Sequence, residues 1–117
     1  MTYYKRALVY AKRSKELKRI ALITNNIGTV FSESNRYDSA QYYLDQALPI
    51  AKESGDSTAL VTVLSNLGEV SANTKNYAKG LNYFYQCLGI DKAFEDIYGV
   101  IMDYTNIAGC LMKLGKF

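Results

Sequence analysis

Three observations predict an all-α chain of helix pairs stacked side by side as a solenoid. The sequence repeats itself at a fixed step, its apolar residues recur at steps of three and four, and a helix-breaking Ser54-Gly55-Asp56 separates two such runs. The repeat shows first in Asn26-Ile27-Gly28, which returns as Asn66-Leu67-Gly68 and as Asn106-Ile107-Ala108. In the same step fall Tyr3, Tyr43 and Tyr83; Leu8, Leu48 and Leu88; Ala7, Ala47 and Cys87; and Tyr37, Tyr77 and Phe117. Shifting the chain by one such period pairs 77 positions and gives 17 identities. Composition alone would give roughly 5, so the period is real.

The helices follow in order. Residues 2–14 take their helical phase from the copy at 43–51, and residues 17–33 take theirs from 57–73. In 37–53, Ala40, Tyr43, Leu44, Ala47, Leu48 and Ala51 line one face, and Pro49 removes one backbone bond, which predicts a bend near Asp45. The break at Ser54-Gly55-Asp56 offers Gly55 for a left-handed helix end and Asp56 or Ser57 as the next cap. Residues 57–73 put Leu60, Val63, Leu64, Leu67 and Val70 on one stripe; the period then places helices at 77–93 and 97–114. Six helices are expected in one domain, 1–117, with repeat units at about 17–56 and 57–96 and partial units at 1–16 and 97–117.

These residues carry a family resemblance. Asn-Leu-Gly in the first helix of a pair, Tyr77 just before the second, and small Gly80, aromatic Phe84 and small Cys87 within it resemble the tetratricopeptide repeat. Gly28, Tyr37, Ala40, Leu44 and Ala47 match in the preceding unit, and Ala108 and Phe117 in the following one. The likeness implies a right-handed superhelix of helical hairpins, about three repeats in all, each longer than the usual unit of that family. Units extended in this way are similar to repeats in bacterial signalling regulators, kinesin light chains and spindle-orientation adaptors. The large aromatic that often opens the family's first helix is replaced by Thr24 and Leu64 and kept only as Tyr104. Small Gly68 and Gly80 let backbones approach, while Tyr77 and Phe84 fill the wedge between repeats. The same packing role is expected of Tyr42, Tyr43, Tyr83 and Tyr85.

What the resemblance implies about function is protein recognition on a concave face lined by the first helix of each pair. In this register that face carries Leu22, Asn25, Asn26, Thr29 and Glu33, then Thr62, Ser65, Asn66, Glu69 and Asn73, then Met102, Thr105, Asn106 and Lys113. A side-chain amide both donates and accepts, so Asn26, Asn66 and Asn106 form a candidate ladder for the backbone of an extended peptide or a partner helix. The plainer alternative is that each Asn bonds a neighbouring helix backbone or turn. The chain also opens inside a second-type helix and stops at Phe117, where the next one should begin. Both ends therefore read as unfinished: a piece of a longer array, or a dimerisation segment of a larger regulator in which a second copy covers the terminal helices.

Other function classes find little support. There is no His, no Gly-rich phosphate loop and no nucleophile motif, so neither an enzyme nor a cofactor is implied, and no metal-ligand spacing occurs. Asp91, Glu95 and Asp96 sit where helix caps need acids, and Cys87 and Cys110 fall in the apolar pattern, Cys110 in step with Val30 and Val70. Seven basic residues near the start, Lys5, Arg6, Lys12, Arg13, Lys15, Lys18 and Arg19, face only Glu16. Without a nucleic-acid motif beside them they read as a solvated outer face. No run is long and apolar enough to span a membrane and no signal peptide is evident; a reduced, cytoplasmic setting is expected.

Overall fold

The computed structural model describes the backbone of residues 2–116 and the side chains of residues 9–116. It contains five helices, α1 (Thr2–Glu33), α2 (Tyr37–Ser54), α3 (Ser57–Asn73), α4 (Tyr77–Ala93) and α5 (Ile97–Lys113), and no strand among the described residues. Each helix packs on the next and α1 also touches α3, the pattern of a layered solenoid. Its Cα radius of gyration is 15.8 Å. A compact chain of this length would have about 13 Å, so the molecule is elongated.

The turns show a finer period. Asn35, Gly55, Lys75, Glu95 and Gly115 all have positive φ, between 56° and 72°, each half a sequence period from the next. Four of these turns close with the same long backbone bond: the N–H groups of Arg36, Asn76, Asp96 and Lys116 donate to the carbonyls of Phe31, Ser71, Asp91 and Leu111 at 2.7–2.9 Å. That left-handed residue followed by a 6→1 bond is how a helix ends and reverses. Asp56 and Asp96 then cap the following helices, accepting from Ala59 N at 2.9 Å and Gly99 N at 3.0 Å.

Lys15 occupies the next place in that series but stays helical, and the two helices expected at 2–14 and 17–33 are one. The reason is local and electrostatic. Nothing at 14–16 matches the glycine of Ser54-Gly55-Asp56, a left-handed Lys costs about 1–2 kcal/mol, and Glu16 replaces the short capping Asp. Folding back would also crowd Lys12, Arg13, Lys15, Lys18 and Arg19, which a continuous helix spreads apart.

Close packing uses the small residues. Ala21, Ala40, Leu44, Ala47, Ala51, Ala59, Val63, Leu67 and Val70 form a core shared by α1, α2 and α3, and Phe84, Leu88, Ile107 and Cys110 form a second between α4 and α5. A Cβ on Gly28 would stand 2.9 Å from Leu44 Cγ, and one on Gly68 2.6 Å from the Phe84 ring. The α2 helix continues through exposed Pro49. Of the tyrosines expected to pack between repeats, Tyr43 and Tyr83 are half-buried, but Tyr42 and Tyr85 point outward. Tyr43 stacks on Phe31, with centroids 5.5 Å apart, and Tyr42 meets Tyr43 edge-on. Adjacent residues of α2 and α4 cannot both face the core, and Leu44 and Phe84 take the inward places. Val30 is exposed while Val70 and Cys110 are buried, because no helix covers that side of α1. Tyr3, Tyr4, Leu8 and Phe117 lie outside the described side chains.

Candidate concave groove

The first-type helices α1, α3 and α5 present their polar positions along one side, and hollows open between them. One, about 490 Å³, lies between α3 and α5. Glu69 and Asn73 from α3 form one wall, and Thr105, Asn106, Gly109 and Lys113 from α5 form the other. Tyr77, Phe84 and Cys110 lie at its base. The arrangement offers amide, hydroxyl, carboxylate and ammonium groups around an apolar floor, the usual composition of a polypeptide-binding groove. A smaller hollow of about 120 Å³ between α1 and α3 gathers Thr29, Glu33, Asn66 and Glu69. Glu69 joins the two.

The remaining predicted residues divide. Asn25 is only 3% exposed, so its side chain is structural rather than free for a ligand. Its Oδ1 accepts from Asn66 Nδ2 at 2.9 Å, and Asn66 Nδ2 also lies 3.4 Å from Thr29 Oγ1. Asn66 thus bonds a side chain of the neighbouring unit, which differs from both the free ladder and the local backbone bond expected of it. Thr62 donates to Thr58 O at 2.8 Å and borders a separate hollow near Phe94 and Asp96; Ser65 is half-buried, and Met102 is exposed and is not among the residues lining the groove. Asn26 is exposed and faces a fourth, basic hollow of about 670 Å³ with Leu22, Ile23 and Arg19. Tyr77, which the sequence assigns to packing, is half-buried and also shows an edge to the hollow between α3 and α5, whereas Phe84 and Cys110, 2% and 3% exposed, remain packing residues that back it.

Reactive chemistry is not gathered here. Burial, with help from Asp103 and Asp91, pushes the Cys87 thiol up to about 12, and burial raises Cys110 too, so both stay as thiols at neutral pH. Cys87 Sγ donates to Val61 O at 3.7 Å. Among the described residues, no group of three or more His, Cys, Asp or Glu is placed to hold a metal ion.

A family model described as tetratricopeptide repeat matches residues 20–54, and a second with the same description matches residues 61–94, together more than half of the chain. The chain belongs to the tetratricopeptide repeat family. The TPR domain of Arabidopsis FLU, known from a crystal structure, superposes on it with a TM-score of 0.79 over 85% of this chain and 83% of that chain. At 23% identity this likeness speaks to the fold alone. No curated protein sequence matches the chain. Tetratricopeptide repeats are protein–protein interaction modules, and no helix among the described residues is long and apolar enough to cross a membrane.

Proposed function

We propose that this repeat domain binds a partner polypeptide, an extended peptide or a helix, in the groove between α3 and α5. The observation that supports the reading is the groove itself: Glu69, Asn73, Thr105, Asn106 and Lys113 converge over Phe84 and Cys110 in a hollow of about 490 Å³. With Asn66 held by Asn25, the amides left for a ligand are Asn73 and Asn106, with Asn26 farther along the same side. They supply donors and acceptors to a peptide backbone, and the partly exposed Ala72, Tyr77 and Gly109 give a ligand side chain an apolar contact. The setting that fits two buried free thiols is the reducing cytoplasm.

A peptide array probed with the wild-type chain and with Asn73→Ala/Asn106→Ala tests this reading. Peptides bound by the wild type should lose at least about tenfold in affinity, roughly 1.4 kcal/mol, while circular dichroism stays unchanged. Undiminished binding by the folded double variant would place the recognition surface elsewhere.

A further inference from the structure

We propose that the hollow between α3 and α5 seats one large apolar side chain of the bound polypeptide, aromatic or long aliphatic, and that Gly109 and Ser65 keep it open. This rests on the reading of the groove as a polypeptide site and adds which kind of ligand residue enters it. The hollows between α1 and α3 and between α3 and α5 are the same place in successive repeats. All seven residues that line the hollow of about 120 Å³ find their counterparts, one period later, among those lining the hollow of about 490 Å³. Asn66 corresponds to Asn106, for example, and Leu44 to Phe84. Each hollow is bounded by helices of this chain on all three sides, α1, α2 and α3 for the smaller and α3, α4 and α5 for the larger. The difference in volume, about fourfold, therefore lies with the side chains.

Two replacements account for it. In the smaller hollow Glu69 belongs to the α3 wall, and the corresponding residue of the α5 wall in the larger is Gly109. A Cβ at Gly109 would meet nothing within 4 Å, so packing inside the chain does not call for a glycine there, and a helix interior disfavours one. Its effect is to leave room. The smaller hollow is also fastened from α3 to α1, since Asn66 Nδ2 donates to Asn25 Oδ1 at 2.9 Å and lies 3.4 Å from Thr29 Oγ1. One period later Asn25 is the shorter Ser65, and no side-chain bond of this kind joins α5 to α3 among the described residues. The lining chemistry changes with the volume. Ser32, Glu33 and Glu69 of the smaller hollow are Ala72, Asn73 and Gly109 in the larger, where Glu69 stands on the opposite wall in the place of Thr29. Half-buried Ala72 and Tyr77 and exposed Gly109 thus offer apolar surface beside the amides of Asn73 and Asn106. A large apolar side chain lodged there anchors the ligand, and a small one leaves the space without contacts.

The test uses the whole chain and the tightest peptides from the array, with each peptide position varied in turn. One position should require Phe, Tyr, Leu, Ile or Met and should lose about tenfold or more in affinity with Ala or Gly. Gly109→Gln should lose a similar factor at unchanged helicity and Gly109→Ala less, because the loss follows the bulk placed in the hollow. Ser65→Asn should give Asn106 the partner that Asn66 has, weakening binding and moving the Asn106 side-chain amide resonance. Wild-type affinity in both Gly109→Gln and Ser65→Asn, or a peptide position that selects Lys or Arg to meet Glu69, would overturn this inference and leave the groove reading standing. An array on which nothing binds would end both.

Discussion

Asp91 and Asp103 occupy the places that Ala51 and Val63 hold one repeat earlier, so an apolar contact has become a pair of carboxyls. They are 6% and 4% exposed, and Asp103 Oδ2 has no hydrogen-bond partner among the described residues. Burial first, then the neighbouring carboxyl of Asp91 and the charge of Asp96, push the Asp103 carboxyl up to about 7. A carboxyl raised on folding favours the folded state at low pH and loses that advantage as pH climbs through its folded value. The fold should therefore be about 2 kcal/mol less stable at pH 8 than at pH 5, and Asp103→Val should remove most of the slope and raise the melting temperature. Thermal unfolding at the two pH values decides it; an unchanged slope in Asp103→Val would assign the titration to another group. Gly99 belongs to the same arrangement, since a Cβ there would meet Asp91 Oδ2 at 2.7 Å. At Gly68 the obstacle is the buried Phe84 ring, so Gly68→Ala should cost about 1–3 kcal/mol in urea unfolding.

At the scale of the helix, four positions half a period apart reverse the chain, a fifth, Gly115, ends α5, and Lys15, the sixth, does neither. Lys75 and Glu95 show that a left-handed non-glycine is tolerated where packed helices on both sides hold it. Lys15 has no such support. Replacing Lys15→Gly and Glu16→Asp recreates the Ser-Gly-Asp of residues 54–56, and it should break α1 into the two helices that the period predicts. Amide exchange at residues 12–19 should then quicken sharply; continued protection there would mean that cation crowding alone keeps the helix straight. The cap at Asp56 is worth about 1 kcal/mol by analogy with other N-caps, so Asp56→Ala should lower stability by that amount. The Ala59 N–H, and then Lys18 at 3.1 Å, hold the Asp56 carboxyl below its ordinary range. Its contribution therefore persists at neutral pH and disappears as pH falls through that lowered value.

The whole molecule is two packed clusters joined where Phe84 meets Gly68 and where Gly80 approaches the Gly68 carbonyl. In a solenoid each layer is stabilised only by its neighbours, so damage at one seam is felt unevenly. Phe84→Ala removes the largest fully buried side chain among the described residues and should cost about 3–5 kcal/mol. Hydrogen exchange should show the loss in α4 and α5 first, with α1 to α3 still protected; uniform loss of protection would show a single cooperative unit instead.

The sequence by itself determined the helical class, the repeat, the breaks near 34–36, 54–56, 74–76 and 94–96, and which small residues lie between helices. These depend on local propensity and on spacing, which a chain states directly. The tertiary structure decided what depends on which neighbour is present: that residues 14–16 do not turn, that Val30 is exposed where Val70 is buried, and that Tyr42 and Tyr85 face outward. It also decided that Asn25 is buried and bonded to Asn66, because a side-chain pair so far apart in the chain is visible only when two repeats are set side by side. The groove was legible as a set of polar positions; its apolar floor was not, since the same spacing that marks a core residue cannot say which edge of that residue stays open.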